Sequence, residues 1–301
     1  MHRVSRRSFL QTTTAVVAGA GLASERAASA QDEKEAVMVP PYRLGMVTYN
    51  MGKDMDVEAL IKFCVATGLE GVELRTTHAH GVETSLSAEE RRQVRARFAD
   101  SPVALAGLGS AFEYHAKDPA EVARNVAESK AYAQLAADVG APGIKVRPNG
   151  LYDDEPADQT CERIGKAWRE VAAFAAGLGV EVRMEVHGGR GSSLPENVRT
   201  MLDAADHPNA LVCWNSNRSD MDENGSIAAS FDLLKHAIGE VHITDIGVYQ
   251  YPWQDLFDRL TAINYTGFCL AEIAYNPEPE RFMKYYRTLF DLYTGRYRYP
   301  Q

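Results

Sequence analysis

The segment from Val180 to Gly188 combines the alternation of a β-strand with side chains that can do chemistry. Apolar and polar residues take turns along it, in the order Val180, Glu181, Val182, Arg183, Met184, Glu185, Val186 and His187. This period of two predicts a strand with one apolar and one polar face. The polar face ends in a carboxylate, Glu185, and an imidazole, His187. Buried groups of this kind need partners, so we expect them to meet other polar side chains or a cation.

Polar and titratable side chains follow the other strand-like segments as well. Five of the eight histidines lie at or just past such a strand end: His78, His80, His115, His187 and His242. The remaining residues that we single out on this criterion are Glu73, Arg75, Lys145, Arg147, Asn215 and Glu272. A cluster of chemically competent residues at strand ends indicates a site built where several strands terminate.

The elements that must position these residues alternate regularly along the chain. Eight strand-like segments are each followed by a helix-like one: Leu44–Tyr49, Gly71–Arg75, Val103–Leu108, Gly143–Val146, Val180–Val186, Ala210–Trp214, Glu240–Ile243 and Phe268–Ile273. Strands that alternate with helices pair in parallel, and eight such units over about 250 residues predict a (β/α)₈ TIM barrel. A doubly wound open sheet uses the same units. However, the loop after the first strand, 50–54, lacks the glycine-rich phosphate-binding pattern of that fold.

In a TIM barrel the carboxyl ends of the strands meet at one mouth, which brings Glu185, His242 and Glu272 together. Two carboxylates and an imidazole on separate strands are typical ligands of a divalent cation. This ligand set suits Mn²⁺, Mg²⁺, Co²⁺ or Zn²⁺ and does not choose among them; our first expectation is Mn²⁺. The other interpretation is that each residue is a structural hydrogen-bonding group at the rim. Close carboxylates repel one another without a cation, which favours the metal.

The first thirty residues resemble a targeting segment. The run Ser5-Arg6-Arg7-Ser8-Phe9-Leu10 is a twin-arginine signature, a short apolar stretch follows it, and Ala28-Ser29-Ala30 fits a cleavage site. We therefore predict a twin-arginine signal peptide at 1–30, a linker at 31–43 and the barrel domain at 44–301. The expected location is the periplasm or the outside of the cell. The apolar stretch is shorter than the ~20 residues of a membrane-spanning helix, so we expect no stable membrane insertion after cleavage.

Composition narrows the class of partners. The chain has a formal net charge of −9 although the leader is basic, so the remainder is more acidic still. Nucleic-acid binding depends on Lys and Arg against phosphate, and we expect none here. None of the four cysteines stands in a C-x-x-C pair, which argues against a zinc–thiolate site, and Cys213 and Cys269 lie in strand-like segments as core residues. A homo-oligomer stays possible.

In its strand-end residues, the chain from about Leu44 to Tyr293 resembles the xylose isomerase-like TIM barrel superfamily, the sugar phosphate isomerase/epimerase proteins. The family's metal set is Glu, Asp, His and Glu on strands five to eight. Glu185, His242 and Glu272 match it, whereas the second position is Asn215, which keeps an oxygen but lacks the charge. The resemblance thus implies a metal at Glu185, Asn215, His242 and Glu272. The family's histidine shortly after that Asp is also missing, and Asn217-Arg218 take its place.

The resemblance implies chemistry on a small carbohydrate. In the similar epimerases the two metal-binding glutamates transfer protons next to a sugar carbonyl, which here correspond to Glu185 and Glu272. We therefore predict a metal-dependent carbohydrate isomerase or epimerase. The alternatives are a lyase or hydratase that acts on 3-keto-glycosides by elimination, and a non-catalytic sugar-binding barrel.

The other strand-end residues are assigned supporting roles. Lys145 is predicted to be catalytic, because an ammonium group polarises a carbonyl or enolate oxygen; an ion pair at the rim is the alternative. The predicted substrate-binding residues are Glu73, Arg75, His80, His115, Arg147 and His187. Arg75 and Arg147 also have a structural interpretation, as partners of Glu73 and Glu113.

Overall fold

A computed structural model describes residues 39–247 and 250–297. The predicted signal peptide at 1–30 and most of the predicted linker lie outside these residues. Within the described ranges, no helix is both long and apolar enough for a membrane crossing.

Eight parallel strands close into a barrel in sequential order, with the last strand paired to the first. The strands are β1 Arg43–Val47, β2 Gly71–Arg75, β3 Ala104–Glu113, β4 Gly143–Arg147, β5 Glu181–Glu185, β6 Ala210–Asn215, β7 Ile238–Ile243 and β8 Phe268–Ala271. This confirms the (β/α)₈ prediction and excludes the open sheet. Because all strands run the same way, their carboxyl ends form one mouth.

A helix follows each strand and covers the outside of the barrel. The helices are α1 Val57–Thr67, α2 Ala88–Ala99, α3 Pro119–Val139, α4 Ala157–Ala176, α5 Pro195–Ala205, α6 Ala228–Leu234, α7 Trp253–Ala262 and α8 Pro279–Tyr293. Their starts follow local sequence rules: the Ser87 side chain accepts from the Glu90 amide in a capping box, and Asp118 caps α3 ahead of Pro119. Two short 3₁₀ turns, Arg218–Asp220 and Lys235–Ala237, complete the connections.

The main apolar core lies between the sheet and the helices. Trp168 of α4 is fully buried there, and its indole Nε1 donates to the Val182 carbonyl oxygen of β5 at 3.0 Å. All four cysteines are buried and free. Cys269 belongs to this core, whereas the Cys213 sulfur lies inside the barrel, within 4.8 Å of ligand atoms of Glu240 and His242.

The inside of the barrel, in contrast, contains many charged side chains. The buried ones are Glu73, Lys145, Arg183, Glu185, Glu240 and His242. Ions are not placed in a protein interior unless they are paired or have a function. These buried charged side chains therefore mark the part of the barrel in which a functional site is expected.

Two strands differ from the predicted bounds in ways that affect the mouth. β3 runs on to Glu113, beyond the predicted Leu108, with a register irregularity against β4 between Gly109 and Glu113. β8 ends at Ala271, two residues before the predicted Ile273, so Glu272 lies just past the strand. The Glu272 amide still donates to the Ile243 carbonyl oxygen at 2.9 Å, which ties its backbone to β7.

Candidate active site

Four predicted metal ligands meet at the carboxyl end of the barrel. Glu185 and Asn215 are the last residues of β5 and β6, His242 is the penultimate residue of β7, and Glu272 follows β8. Ligand atoms of Glu185, His242 and Glu272 all lie within 4.8 Å of one another. Parallel pairing brings these residues together, with Asn215 directly opposite His242 in the register.

The two ring nitrogens of His242 face different surroundings. Nε2 lies 3.2 Å from Oε2 of Glu73, a carboxylate on β2 that is as fully buried as the imidazole. Nδ1 lies 3.7 Å from Oε1 of Glu185 and 3.5 Å from Oε2 of Glu272, and has no hydrogen-bond partner among the described residues. A carboxylate can only accept, so Nε2 is the donor to Glu73. Nδ1 is thereby directed at two carboxylate oxygens.

This arrangement fits a divalent cation. The carboxylate oxygens of Glu185 and Glu272 repel one another when no cation lies between them, and a bound divalent cation would turn them and Nδ1 of His242 into ligands. Glu185, His242 and Glu272 would therefore hold the ion. Buried oxygen and nitrogen ligands suit Mn²⁺, Mg²⁺, Co²⁺ and Zn²⁺ alike.

Asn215 adjoins these three residues. Its side chain is buried, and its amide nitrogen Nδ2 donates to Oε1 of Glu185 at 3.3 Å. An amide can be rotated to exchange its nitrogen and oxygen, and the second orientation would offer Oδ1 at the same place. The position is thus occupied by a side chain that can bind either the carboxylate or a cation.

Lys145 is joined directly to this group. Its Nζ lies 2.6 Å from Oε2 of Glu185, and both side chains are almost completely buried. Burial lowers the pKa of Lys145, but the charges of Glu185, Glu73 and Glu272 outweigh it and the pKa is raised. Burial likewise raises the pKa of Glu185, yet Lys145 and then His242 hold that pKa well below its usual range. The pair therefore consists of an ammonium and a carboxylate.

Two predicted substrate-binding residues have other partners. Glu73 is fully buried on β2 and binds His242; burial raises its pKa, but His242 lowers it to about 2 overall. His80 is buried in the loop after β2, where Nε2 donates to the Arg75 carbonyl oxygen at 2.8 Å and Nδ1 accepts from the Val82 amide at 3.0 Å. Both ring nitrogens of His80 are thus occupied by backbone groups, which leaves neither for a sugar.

The other predicted substrate-binding residues stay near the mouth. Arg147 Nη2 donates to Oε1 of Glu113 at 2.7 Å, and His115 Nδ1 lies 3.8 Å from Oε2 of the same carboxylate. The Arg75 guanidinium lies 5.6 Å from the Tyr49 ring centre. Buried atoms without a hydrogen-bond partner among the described residues include Arg147 Nε, His115 Nδ1 and His187 Nδ1. Such polar atoms at a strand-end mouth are the ones that a polar ligand would satisfy.

A cavity of about 520 Å³ opens against Glu272. Its polar lining comes from Arg218, Thr244, Asp245, Gln250 and Glu272. This volume is of the size that holds a small molecule, and its walls carry hydroxyl, amide and charged groups suited to a polyol.

Sequence reasoning did not assign roles to two charged residues deeper in the barrel, Glu240 and Arg183. Glu240 Oε2 lies 3.9 Å from His242 Nε2, and its Oε1 accepts from Arg183 Nη1 at 2.8 Å. Burial and the neighbouring charge of Glu73 raise the pKa of Glu240 to about 8. A signal for both was present: each stands two residues before a site residue on the same strand, and hence on the same face.

Comparison with known proteins agrees with this architecture. The family model described as the xylose isomerase-like TIM barrel matches residues 61–287, and the chain belongs to that family. No curated protein sequence matches the chain.

Several solved structures share the fold. The 3-keto-D-glucoside 4-epimerase of E. coli in its apo form is 15% identical, with a TM-score of 0.68 over 82% of this chain and 99% of that one. An L-ribulose 3-epimerase is 16% identical, with a TM-score of 0.71 over 84% and 95%. The IolI protein, solved with a bound zinc atom, is 13% identical, with a TM-score of 0.66 over 86% and 100%. At these identities the likeness establishes the fold alone.

Proposed function

We propose that the protein is a metal-dependent carbohydrate isomerase or epimerase that moves a proton next to a sugar carbonyl. One observation carries the proposal: Glu185 and Glu272 approach His242 Nδ1 from two different strands, at 3.7 and 3.5 Å. Two carboxylates at one imidazole supply both a cation site and two groups that can exchange protons with a bound sugar. The epimerases among the structures of the same fold support this class.

The ligand residues would be Glu185, His242 and Glu272, with Asn215 beside them. A divalent cation, when bound there, polarises the carbonyl and so acidifies the neighbouring C–H group. We propose Mn²⁺ as the working ion, with Mg²⁺, Co²⁺ and Zn²⁺ as alternatives. The zinc atom in IolI supports the metal dependence, but does not select the ion for this chain.

The protein's own residues divide the proton transfers between them. Glu272 is 17% exposed at its side chain and reaches the mouth, whereas Glu185 is 2% exposed and lies deeper. Because they come from β5 and from the end of β8, we propose that they address different sides of a sugar bound at the cation site. Lys145 keeps Glu185 ionised, and its remaining N–H groups can donate to the carbonyl or enolate oxygen. Return of the proton to the opposite face gives epimerisation, and return to the adjacent carbon gives isomerisation.

A lyase that acts on 3-keto-glycosides is the second candidate. The likeness to a 3-keto-D-glucoside 4-epimerase supports keto-glycosides as a substrate class. On such a substrate, abstraction of the proton beside the carbonyl can be followed by expulsion of the β-oxygen instead of reprotonation. The residues that take the proton would be the same, and the substrate would decide the outcome.

Proton exchange with solvent tests the proposal. The protein loaded with Mn²⁺ is incubated in D₂O with a panel of ketoses and keto-glycosides, and deuterium at the carbon beside the carbonyl is measured by NMR and mass spectrometry. We expect exchange with at least one sugar, and loss of roughly 10²–10⁴-fold of the rate in Glu272→Gln. Product mass then separates epimerisation from elimination. Absence of exchange with every sugar, in a protein that binds them, would leave the non-catalytic sugar-binding barrel.

We also propose export by the twin-arginine route, on the strength of Ser5 to Leu10 and the cleavage pattern at Ala28 to Ala30. The full-length chain and its Arg6→Lys/Arg7→Lys variant are expressed in a bacterium, and the periplasm is separated from the cytoplasm. The wild-type chain is expected in the periplasm, shortened by about thirty residues, and the variant in the cytoplasm at full length. Equal distribution of both chains would contradict export.

A further inference from the structure

Behind His242 the barrel contains a row of buried charged side chains that the proposed reaction does not use. This row, which we call the inner array, consists of Glu73, Glu240 and Arg183. Glu73 accepts from His242, Glu240 accepts from Arg183 at 2.8 Å, and Arg183 is held further by the carboxylate of Glu181 at 2.7 Å. The array thus runs from the imidazole to the opposite end of the barrel.

The array acts on one defined atom of His242. Glu73 Oε2 lies 3.2 Å from Nε2, closer than Glu240 Oε2 at 3.9 Å. A hydrogen bond from Nε2–H to a carboxylate fixes both the tautomer and the ring orientation of a metal-binding histidine. Here it leaves Nδ1 as the atom presented to Glu185 and Glu272.

Three glycines provide the space that the array occupies. A Cβ atom on Gly109 of β3 would come within 2.4 Å of Oε1 of Glu73. A Cβ on Gly107 would meet Glu240 Oε1 at 3.2 Å and Arg183 Nη1 at 3.3 Å, and one on Gly143 would meet Arg183 Nε at 2.7 Å. Each of these glycines lies next to a member of the array, so strands β3 and β4 are shaped around its side chains.

We propose that Glu73 is a positioning residue for His242, and that Gly109 is small in order to admit the Glu73 carboxylate. The inference rests on the proposed function, because its purpose is to aim Nδ1 at the cation site. Glu240 and Arg183 support Glu73 from behind. The alternative is a purely structural ion cluster, which would stabilise the barrel without affecting the cation site.

Metal affinity distinguishes the positioning role of Glu73 from a purely structural ion cluster. The dissociation constant of Mn²⁺ is measured by calorimetry for the wild-type protein, Glu73→Ala, Glu73→Gln, Gly109→Ala and the double variant Glu73→Ala/Gly109→Ala. Glu70→Ala is the matched control, since Glu70 lies just ahead of β2 and pairs with Arg287 at 3.0 Å instead of with His242. Circular dichroism verifies that each variant is folded.

We expect Glu73→Ala to weaken Mn²⁺ binding by roughly 10–100-fold, the usual effect of removing the partner of a metal-binding histidine. Glu73→Gln should lose less, since its amide oxygen still accepts from Nε2–H. Gly109→Ala should weaken binding in the wild-type background but change it less than about twofold when Glu73 is already Ala, because no carboxylate is left to displace. Glu70→Ala should bind as the wild type does.

A second readout follows the imidazole itself. In the Zn²⁺-loaded protein, ¹⁵N NMR of the histidine rings should show a slowly exchanging proton on Nε2 of His242 that Glu73→Ala loses. A proton on Nδ1 instead would overturn the proposal.

The remaining outcomes also decide between a positioning role for Glu73 and a purely structural one. Wild-type affinity in folded Glu73→Ala, or an equal effect of Gly109→Ala in both backgrounds, overturns the positioning role and leaves the proposed function intact. If Glu73→Ala does not fold, the other two variants decide. Wild-type Mn²⁺ affinity in both Glu73→Gln and Gly109→Ala then also overturns the positioning role. If the wild-type protein itself binds neither Mn²⁺ nor Zn²⁺, the metal part of the proposed function falls together with this inference.

Discussion

At the scale of single residues, the site is defined by an imbalance of charge around one imidazole. Glu73, Glu185 and Glu272 all approach His242, and Lys145 is the lysine that reaches this group. Lys145 neutralises one carboxylate only, and it bonds to the Glu185 oxygen that faces away from Nδ1. The other oxygen of Glu185 and the Glu272 carboxylate therefore stay directed at the same point, which is where a cation would be stabilised.

Replacement of Lys145 separates catalysis from metal binding. In Lys145→Met the isosteric side chain keeps the packing but removes the donor and its charge. We expect turnover to fall by roughly 10²–10⁴-fold, while bound Mn²⁺ stays at the wild-type level or rises because the site has become more negative. Steady-state rates and elemental analysis of the same preparation measure both. Lys62→Met, on the exposed face of α1, is the control. Wild-type turnover in Lys145→Met would refute the catalytic role of Lys145.

Asn215 would make the proposed ligand set weaker than one with a third carboxylate. Asn215→Asp places a second negative oxygen beside Oε1 of Glu185, now 3.3 Å from the amide nitrogen. We expect Mn²⁺ to bind at least roughly tenfold more tightly, or ~1.4 kcal/mol, and the metal-free protein to lose stability because close carboxylates repel. Calorimetric titration tests the first effect and urea unfolding with EDTA the second. An unchanged Mn²⁺ affinity would place residue 215 outside the ligand set.

At the scale of elements, the period of two in β5 and β7 indicates which residues point into the barrel. In β5 it groups Arg183 with Glu185 on the polar face, as predicted, and the same period places Glu240 on the face of His242 in β7. The partners of these residues were less accessible to sequence reasoning. Glu73 and His242 lie on strands that are distant in the chain, and their contact depends on closure of the barrel and on the absence of a side chain at Gly109. A pattern within one strand contains no information on what lies across the barrel.

The connection after β6 contains a carboxyl group that should make stability depend on pH. Asp220 is buried; burial raises its pKa to about 7 from 3.8, against hydrogen bonds from the Asn217 amide and the Tyr251 hydroxyl. Between these two values the unfolded chain releases a proton that the folded chain keeps. This group's contribution to stability is therefore present at low pH, declines as pH rises from about 4 to about 7, and is constant above that.

Asp220→Asn removes this titration. The free energy of unfolding, measured in urea at intervals from pH 4 to pH 8, should decline less with rising pH in the variant. Over the whole range the free energy of unfolding of the wild type should fall by ~1.4 kcal/mol more than that of the variant for each pKa unit of the shift, a few kcal/mol in all at most. Asp291→Asn on α8, which loses an ion pair with Arg287 whose side chains are 20% and 23% exposed, is the control. Parallel curves for the wild type and Asp220→Asn would show that Asp220 does not titrate in this range.

At the scale of the whole molecule, the fold was predictable because eight strand–helix units leave few alternatives, and the barrel follows from their count. The mouth followed with it, since parallel strands end on one side. It was harder to predict which of the residues at the mouth are free to bind a ligand. His80 and His187 both follow strands, yet both ring nitrogens of His80 bind backbone groups whereas His187 Nδ1 has no partner among the described residues. That difference arises in the loops, whose conformation the strand pattern does not contain.

Because the proposed ligands lie on β5, on β7 and directly after β8, a bound cation should connect distant parts of the barrel. A ligand that binds only the native state stabilises it by RT ln(1 + [L]/Kd), about 2.7 kcal/mol at one hundred times Kd. For a domain of this size, that corresponds to a rise in the unfolding midpoint of roughly 5–10 °C. Differential scanning calorimetry with EDTA and with saturating Mn²⁺ measures the shift. The shift should vanish in His242→Ala and in Glu185→Gln/Glu272→Gln but persist in Glu70→Ala, whereas an equal shift in all four proteins would locate the cation elsewhere on the chain.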